Sequence, residues 1–400
     1  MTAATSVPGR TAFRRWRGVL AVLAWQVVAS ACYYAVFAAT ASIRRTVGLS
    51  GFEIGVLLAA LTLGYTLFLF PAGAAVDAFG DRLPMVAGLL GLGGGAVAFG
   101  SVGTFPVLVA VTLLYGGAYA SAMPATNRAI TVRAPPGQYN LAIGVKQVGV
   151  TGGSAIAAVL VTNADAAGLG WQSAFYGLGG LAILVAVGFA LTYEGADGFG
   201  DPGLPDLGAL RGDRTYLLLA GSGLFLGASI FATTGYVVPY FEGSLGASLR
   251  TAGFVLAGMQ LTGSAGRIVV GSVADRLPGS DERSALGVMA VQTLAGAAVL
   301  LALPGLGVTA AIAAAVVLGV AMLGGTGLYH GTLVVLVDDD ASGAATAGGQ
   351  ATINVGGLLA PPLFGLLADG VGYATAWTVM GCSLVVSAIL LGAAWRSTDA

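Results

Sequence analysis

Two cationic side chains stand where an apolar sequence has little reason to keep them. Lys146, the only lysine, lies in LAIGVKQVGVTGG (141–153), and Arg267 lies in GSAGRIVVGSVADR (263–276). An arginine fork grips a carboxylate or another oxyanion through two parallel hydrogen bonds. The obvious partner is an acidic residue at the same depth. All 18 Asp and Glu residues fall in polar loops or at the ends of apolar runs, Glu53, Asp77, Asp165, Asp275 and Asp369 among them. The counter-ion is therefore expected to be an anion from outside the chain. Two plainer readings stay open. Arg267 can bond backbone carbonyls of a neighbouring helix, and Lys146 can snorkel to an interface.

The elements that carry these residues follow from composition. The 400 residues are 56% hydrophobic and 9% charged, with a mean hydropathy of +0.88. Soluble chains carry about 25% charged residues. So little charge cannot cover a soluble surface, and lipid must be the solvent for most of the chain. The net charge of −1 argues against a nucleic-acid partner. Cys32 and Cys382 lie in apolar runs without metal-ligand spacing and read as small core residues. No cofactor or metal is expected. The run after Arg17 is about 22 residues, too long for a signal-peptide core and long enough to cross a bilayer.

Reading from breaker to breaker predicts twelve membrane helices at about 18–40, 53–76, 84–101, 105–126, 140–162, 172–192, 215–241, 250–273, 285–304, 308–331, 345–367 and 374–394. The division is a tail (1–17), a six-helix half (18–192), a Gly-, Pro- and Asp-rich linker (193–214), a second half (215–394) and a short tail (395–400). Twelve arginines fall on the side of the termini and three on the other, Arg44, Arg45 and Arg250. That asymmetry predicts cytoplasmic termini and a cell-membrane location.

The halves repeat. GAAVDAFGDRLP (73–84) and GSVADRLP (271–278) each place a Gly four residues before an Asp, at an offset of 198. Gly152, Gly153 and Asp165 match Gly356, Gly357 and Asp369 at an offset of 204, which pairs Lys146 with Gln350. Internal repeats in a transporter-like membrane chain place a binding site near mid-membrane, between the halves. Polar stripes support this: Gln26, Ser30 and Tyr33 on helix 1, Ser222, Ser229, Thr233 and Tyr236 on helix 7, and Gln260, Ser264 and Arg267 on helix 8. Helix 11 adds Gln350 and Asn354, and helix 4 adds Tyr115, Tyr119 and Thr126, with Asn127 expected at its end. Gln147 follows Lys146 on helix 5.

Twelve helices, a long central loop and the paired loop motif resemble the major facilitator superfamily. The first motif copy keeps Gly73, Asp77, Gly80 and Arg82, with Ala78 and Asp81 at usually basic positions. The second keeps Gly271, Asp275 and Arg276. GWQSAF (170–175) is similar to the usual opening of helix 6. The resemblance implies an all-α membrane protein of two pseudo-symmetric halves around a central cavity, secondary active transport by alternating access, and a gating role for the motif residues. Helix 8 also resembles the oxalate/formate and monocarboxylate branches, in which an Arg contacts substrate carboxylate. The Lys146–Gln147 step is similar to cyanate- and nitrate-type permeases. The resulting expectation is a monomeric carrier of a small anion, a carboxylate by preference. Its substrate site is expected at Arg267, Lys146, Gln147, Gln350, Asn354, Gln260, Tyr33 and Tyr119. Exchange is the expected mode, because an empty site with two cations is costly to occlude. His330, the only histidine, is the candidate proton relay. A carrier of a neutral or drug-like compound and a non-transporting receptor or scaffold are the alternatives. No ATP-binding glycine loop or HExxH is present, so neither ATP hydrolysis nor such a protease is expected.

Overall fold

Twelve apolar helices are each long enough to cross a bilayer in the computed structural model, which describes residues 8–196, 198, 209–278, 281–337 and 341–398. In order they are helices 1 to 12: Trp16–Ala38, Gly51–Phe79, Arg82–Ser101, Phe105–Arg133, Leu141–Ala166, Trp171–Thr192, Arg214–Gly243, Leu249–Ala274, Glu282–Gly305, Val308–Val335, Gly343–Gly370 and Tyr373–Ser397. The fold class is as expected. The expected ends agree to within a few residues, with one exception. Helix 4 runs seven residues past its predicted stop, so Asn127 lies inside it. The sequence turns polar at Asn127 and Arg128, but that stretch still buries Ala129 and Ile130 against the first half. A short helix absent from the expectation, Thr40–Val47, follows helix 1 and carries Arg44 and Arg45.

Helix starts are fixed locally. Ser50 and Glu53 form a reciprocal capping box on helix 2, Asp213 caps helix 7 and Ser248 caps helix 8. Even-numbered crossing returns the chain to the side on which it began. That side is called the termini side below, and the other the far side.

Packing within the halves depends on glycine. A Cβ at Gly153 of helix 5 would stand 2.3 Å from Val27 O and 2.8 Å from Ala31 N of helix 1. A Cβ at Gly356 of helix 11 would stand 2.0 Å from Leu224 O and 2.5 Å from Ala228 N of helix 7. Backbones can approach this closely in a membrane only through such small residues. The equivalence also sets the repeat register. Gly153 corresponds to Gly356, an offset of 203 (356 − 153), where sequence matching gave 204. Asp165 and Asp369 on the same two helices keep the 204 spacing, so the packing glycines and the acids differ by one residue in register.

The halves meet through helices 5 and 8 and through helices 2 and 11. A Cβ at Gly55 of helix 2 would meet Pro361 O of helix 11 at 2.3 Å, and one at Gly253 of helix 8 would meet Thr162 Oγ1 of helix 5 at 1.9 Å. Nearer the termini side, Thr151 of helix 5 hydrogen-bonds Ser264 of helix 8.

Two sequence expectations are corrected here. Ser229 donates to Met380 O of helix 12, and the Ser222 hydroxyl turns back to Leu219 O of its own helix, so both hydroxyls are satisfied by backbone. Tyr236 turns toward helices 2 and 11, its hydroxyl 2.6 Å from Gly51 O and 2.9 Å from Pro361 O. Short hydroxyls satisfied by a neighbouring backbone give the same sequence stripe as hydroxyls lining a cavity. Cys32 is core as expected, but Cys382 is exposed on the outer surface of helix 12.

Candidate functional site

Arg267 is positioned by an irregularity in helix 10. Residues Gly319–Leu323 form a π-turn, and such turns leave carbonyls off the regular ladder. Leu323 O accepts from Arg267 Nε at 3.2 Å and from Thr326 Oγ1 at 2.8 Å. Helix 8 comes close enough through Gly263 and Gly266, where a Cβ would meet Leu323 at 2.5 Å and Val320 at 3.1 Å. The plainer reading of Arg267 is thus present for one nitrogen. Among the described residues the two terminal nitrogens of the guanidinium have no hydrogen-bond partner. Lys146, Tyr34 and His330 all lie close enough to feel the guanidinium charge.

Lys146 is fully buried at 0% exposure, so it does not snorkel. Its Nζ donates to Asn127 Oδ1 at 2.8 Å and lies 3.8 Å from Met123 Sδ. The longer helix 4 supplies this partner. The amide is neutral, so the charge of Lys146 remains unbalanced by any carboxylate bond among the described residues. Arg267 faces it from the other half.

Around the cations stands a row of rings. Tyr33 stacks on Tyr119 at 4.4 Å between centroids, and Tyr65 lies 5.9 Å from Tyr119. Tyr34 adjoins Phe37 at 5.6 Å, and Phe37 reaches Phe231 of the second half at 6.0 Å. Behind it, Tyr119 OH bonds Ser30 Oγ at 2.9 Å and accepts from Gln26 Nε2 at 3.2 Å. Tyr33 and Tyr119 thus both belong to this ring row. Tyr65 and Phe231 were missed, because an aromatic residue in an apolar run carries no polar signal.

On the second half, His330 Nε2 lies 3.0 Å from Gln350 Oε1, and Gln350 Nε2 donates to Asn354 Oδ1 at 2.8 Å. The structure thus joins three residues that the sequence left separate. Gln260 is buried, and Gln147 is half-buried; neither makes a side-chain hydrogen bond among the described residues.

The motif residues sit at the termini-side ends of helices 2 and 8. Gly80 closes helix 2 with φ of 75°, in the region that favours glycine. Asp77 is half-buried and forms no ion pair among the described residues. The charge centre is Asp81 instead, the residue that departs from the motif. Its carboxylate is fully buried, pairs with Arg133 at 2.7 Å, and accepts from Tyr193 OH at 2.9 Å and Ala196 N at 2.7 Å. Burial pushes the Tyr193 phenol well above its ordinary value, partly offset by the Arg133 guanidinium 4.4 Å over its ring, so Tyr193 stays a donor. Arg82 bonds Ala190 O of helix 6. In the second copy Asp275 and Arg276 are exposed, and Gly271 has open space around it. Among the described residues no group of three His, Cys, Asp or Glu side chains is placed to hold a metal.

At the far side Arg44 and Arg45 clamp both halves. Arg44 pairs with Asp369 of helix 11 at 2.8 Å; Arg45 pairs with Asp165 of helix 5 at 2.7 Å and with Glu242 of helix 7. Asp165 and Asp369 are the acidic pair that the repeat matched. Backbone N of Phe52 also donates to Asp369, at 3.1 Å.

Comparison with known proteins agrees with this architecture. Residues 22–349 and 223–400 match the profile of the Major Facilitator Superfamily. Puromycin resistance protein pur8 of Streptomyces alboniger is 30% identical over 179 residues, 44% of this chain and 35% of that protein. The tetracenomycin C resistance and export protein of Streptomyces glaucescens is 27% identical over 182 residues, 46% of this chain and 32% of that protein. The matched stretch spans about a third of the length of each relative. Among solved structures, an inward-facing, occupied bacterial homolog of the human lysosomal transporter Spinster superposes with a TM-score of 0.79 at 18% identity, covering 98% of both chains. A point mutant of the nucleoside transporter NupG superposes with a TM-score of 0.77 at 15% identity, covering 94% of this chain and 99% of that one.

Proposed function

The chain belongs to the Major Facilitator Superfamily, and from that premise we propose that it is a secondary carrier of a small organic anion. The observation that carries this is Arg267. Its Nε is held by Leu323 O, which aims the fork, while its terminal nitrogens keep their hydrogen-bonding capacity in the centre of the bundle. No described carboxylate bonds it. A cargo carboxylate supplies the missing charge, Lys146 adds a second positive charge from the opposite half, and the tyrosine row receives the apolar body of the cargo. The far-side clamp holds the halves together there, so this state exchanges cargo with the termini side.

The test is thermal stabilisation of the purified protein by benzoate and oxalate, followed by vesicle uptake of whichever binds. A ligand at 100 times its dissociation constant stabilises by about 2.7 kcal/mol. Arg267→Lys keeps the charge and removes the fork; it is expected to insert normally and to lose most of the stabilisation and uptake. Equal behaviour of the variant assigns Arg267 a purely structural bond.

A second reading has its own support. The ring row, together with relatives named for resistance to puromycin and for tetracenomycin C export, suits an uncharged aromatic compound. Stabilisation by neutral aromatics but by neither acid, unaffected in Arg267→Lys, selects it.

A further inference from the structure

His330 is bound at both ring nitrogens, and the two bonds constrain its protons. Nδ1 lies 2.8 Å from Thr326 O. A carbonyl oxygen only accepts, so Nδ1 carries a hydrogen whatever the charge of the ring. In the neutral ring Nε2 is then a lone pair and needs a donor. In the imidazolium Nε2 is a second N–H and needs an acceptor. Its partner, Gln350, can present either, because a half-turn of the amide exchanges oxygen for nitrogen.

Gln350 is not free to choose alone. It bonds Asn354, one helical turn on, and that contact must also match a donor with an acceptor. With His330 charged, Gln350 turns its oxygen to the ring and its nitrogen to Asn354 Oδ1, leaving Asn354 Nδ2 spare. With His330 neutral, both amides turn over and leave Asn354 Oδ1 spare. Mixed arrangements set donor against donor or acceptor against acceptor. In this structure the spare atom is Nδ2: Asn354 is 2% exposed, and its Nδ2 is buried with no partner among the described residues. Asn354 shares a face with Gly357, which packs against Phe231 in the ring row.

We propose that His330 is the proton-binding site of this carrier and that Gln350 and Asn354 convert its charge into an N–H donor or a carbonyl acceptor beside the cargo site. This rests on the anion-carrier reading. An anionic or carbonyl group on the cargo meets an N–H only when His330 is protonated. Arg267 of helix 8 is the charged group facing His330; Tyr329, beside His330 on helix 10, stands edge-on at 5.3 Å. Among the described residues helices 7, 9 and 11 set no acidic or basic side chain against it. Arg267 and a protonated His330 carry like charges that repel, and a bound anion offsets that repulsion. Anion and proton each favour binding of the other by the same factor, and a monoanion travels with one proton. This differs from the exchange mode expected from the sequence.

The experiment needs no cargo. His330 is the only histidine, and Asn354 is one of four asparagines. The full chain in lipid nanodiscs, labelled with 15N-histidine and 15N-asparagine, gives a spectrum that can be assigned by single variants. At high pH the expected ring has Nδ1–H and a pyridine-type Nε2. Lowering the pH should abolish the pyridine-type signal, and the Asn354 side-chain amide should move with the same midpoint. In His330→Gln that amide should stay put, and in Gln350→Leu the ring should titrate while the amide no longer follows. A neutral ring protonated at Nε2, a ring that stays neutral throughout the folded range, or an Asn354 amide indifferent to the histidine titration each overturns the proposal. Failure of the carrier reading shows separately, as absent uptake with this spectrum intact.

Discussion

The two ends of the bundle hold their charges in opposite ways. At the far side Arg44 and Arg45 join the halves through pairs that stay partly exposed, 37% and 26% for Arg44–Asp369 and 45% and 27% for Arg45–Glu242. At the termini side Asp81 and Arg133 pair inside one half, with exposures of 0% and 15%. A buried pair whose carboxylate accepts three hydrogen bonds is a fixed part of a rigid body. An exposed pair across a moving joint contributes little and can be broken and re-formed. The difference separates what holds a half together from what holds a conformation together.

Breaking the buried pair should have the largest effect. Asp81→Ala leaves Arg133 without its carboxylate, and removing one partner of a buried pair costs about 3–5 kcal/mol. Thermal unfolding in detergent should show a clearly lower midpoint, with Tyr193 and Ala196 also losing their acceptor. An unchanged midpoint means that water reaches Arg133 and that the contrast is overstated.

Arg45→Ala should act on conformation instead. It removes the bonds to Glu242 and Asp165. Exposed pairs are worth about 0.2–1 kcal/mol each after solvent screening, so the far-open population should rise about fivefold or less. Spin labels at the far ends of helices 5 and 8 would report a longer-distance component. Loss of folding instead would make this clamp structural, like the other end.

Raising salt should give the smallest effect and separate the ends in a single protein. At about 1 M the screening length is about 3 Å, which weakens exposed pairs and spares buried ones. The spin-label distribution should shift slightly while the unfolding midpoint of the wild type barely moves. Lys146→Gln provides a control between the ends: it is expected to lower anion affinity with unchanged expression, since Asn127 can bond either side chain.

What the sequence determined is what the membrane dictates residue by residue. Twelve apolar runs of spanning length, two related halves, and the depth of Lys146 and Arg267 all follow from composition and spacing, because lipid penalises each polar group locally. The correspondence of Asp165 with Asp369 was also visible in the spacing, although not that two adjacent arginines, Arg45 and Arg44, would hold them. Tertiary structure decided everything that depends on which helix faces which. Asp81 read as a defect in a motif, and only the approach of Arg133, Tyr193 and Ala196 makes it a buried centre. Ser222 and Ser229 read as cavity lining, but their hydroxyls bond Leu219 O of the same helix and Met380 O of helix 12. Arg267 is aimed by a π-turn in another helix that no local signal announces. The chain from His330 through Gln350 to Asn354 exists because helices 10 and 11 lie side by side. Its first contact joins residues 20 positions apart, a separation that no helical period connects.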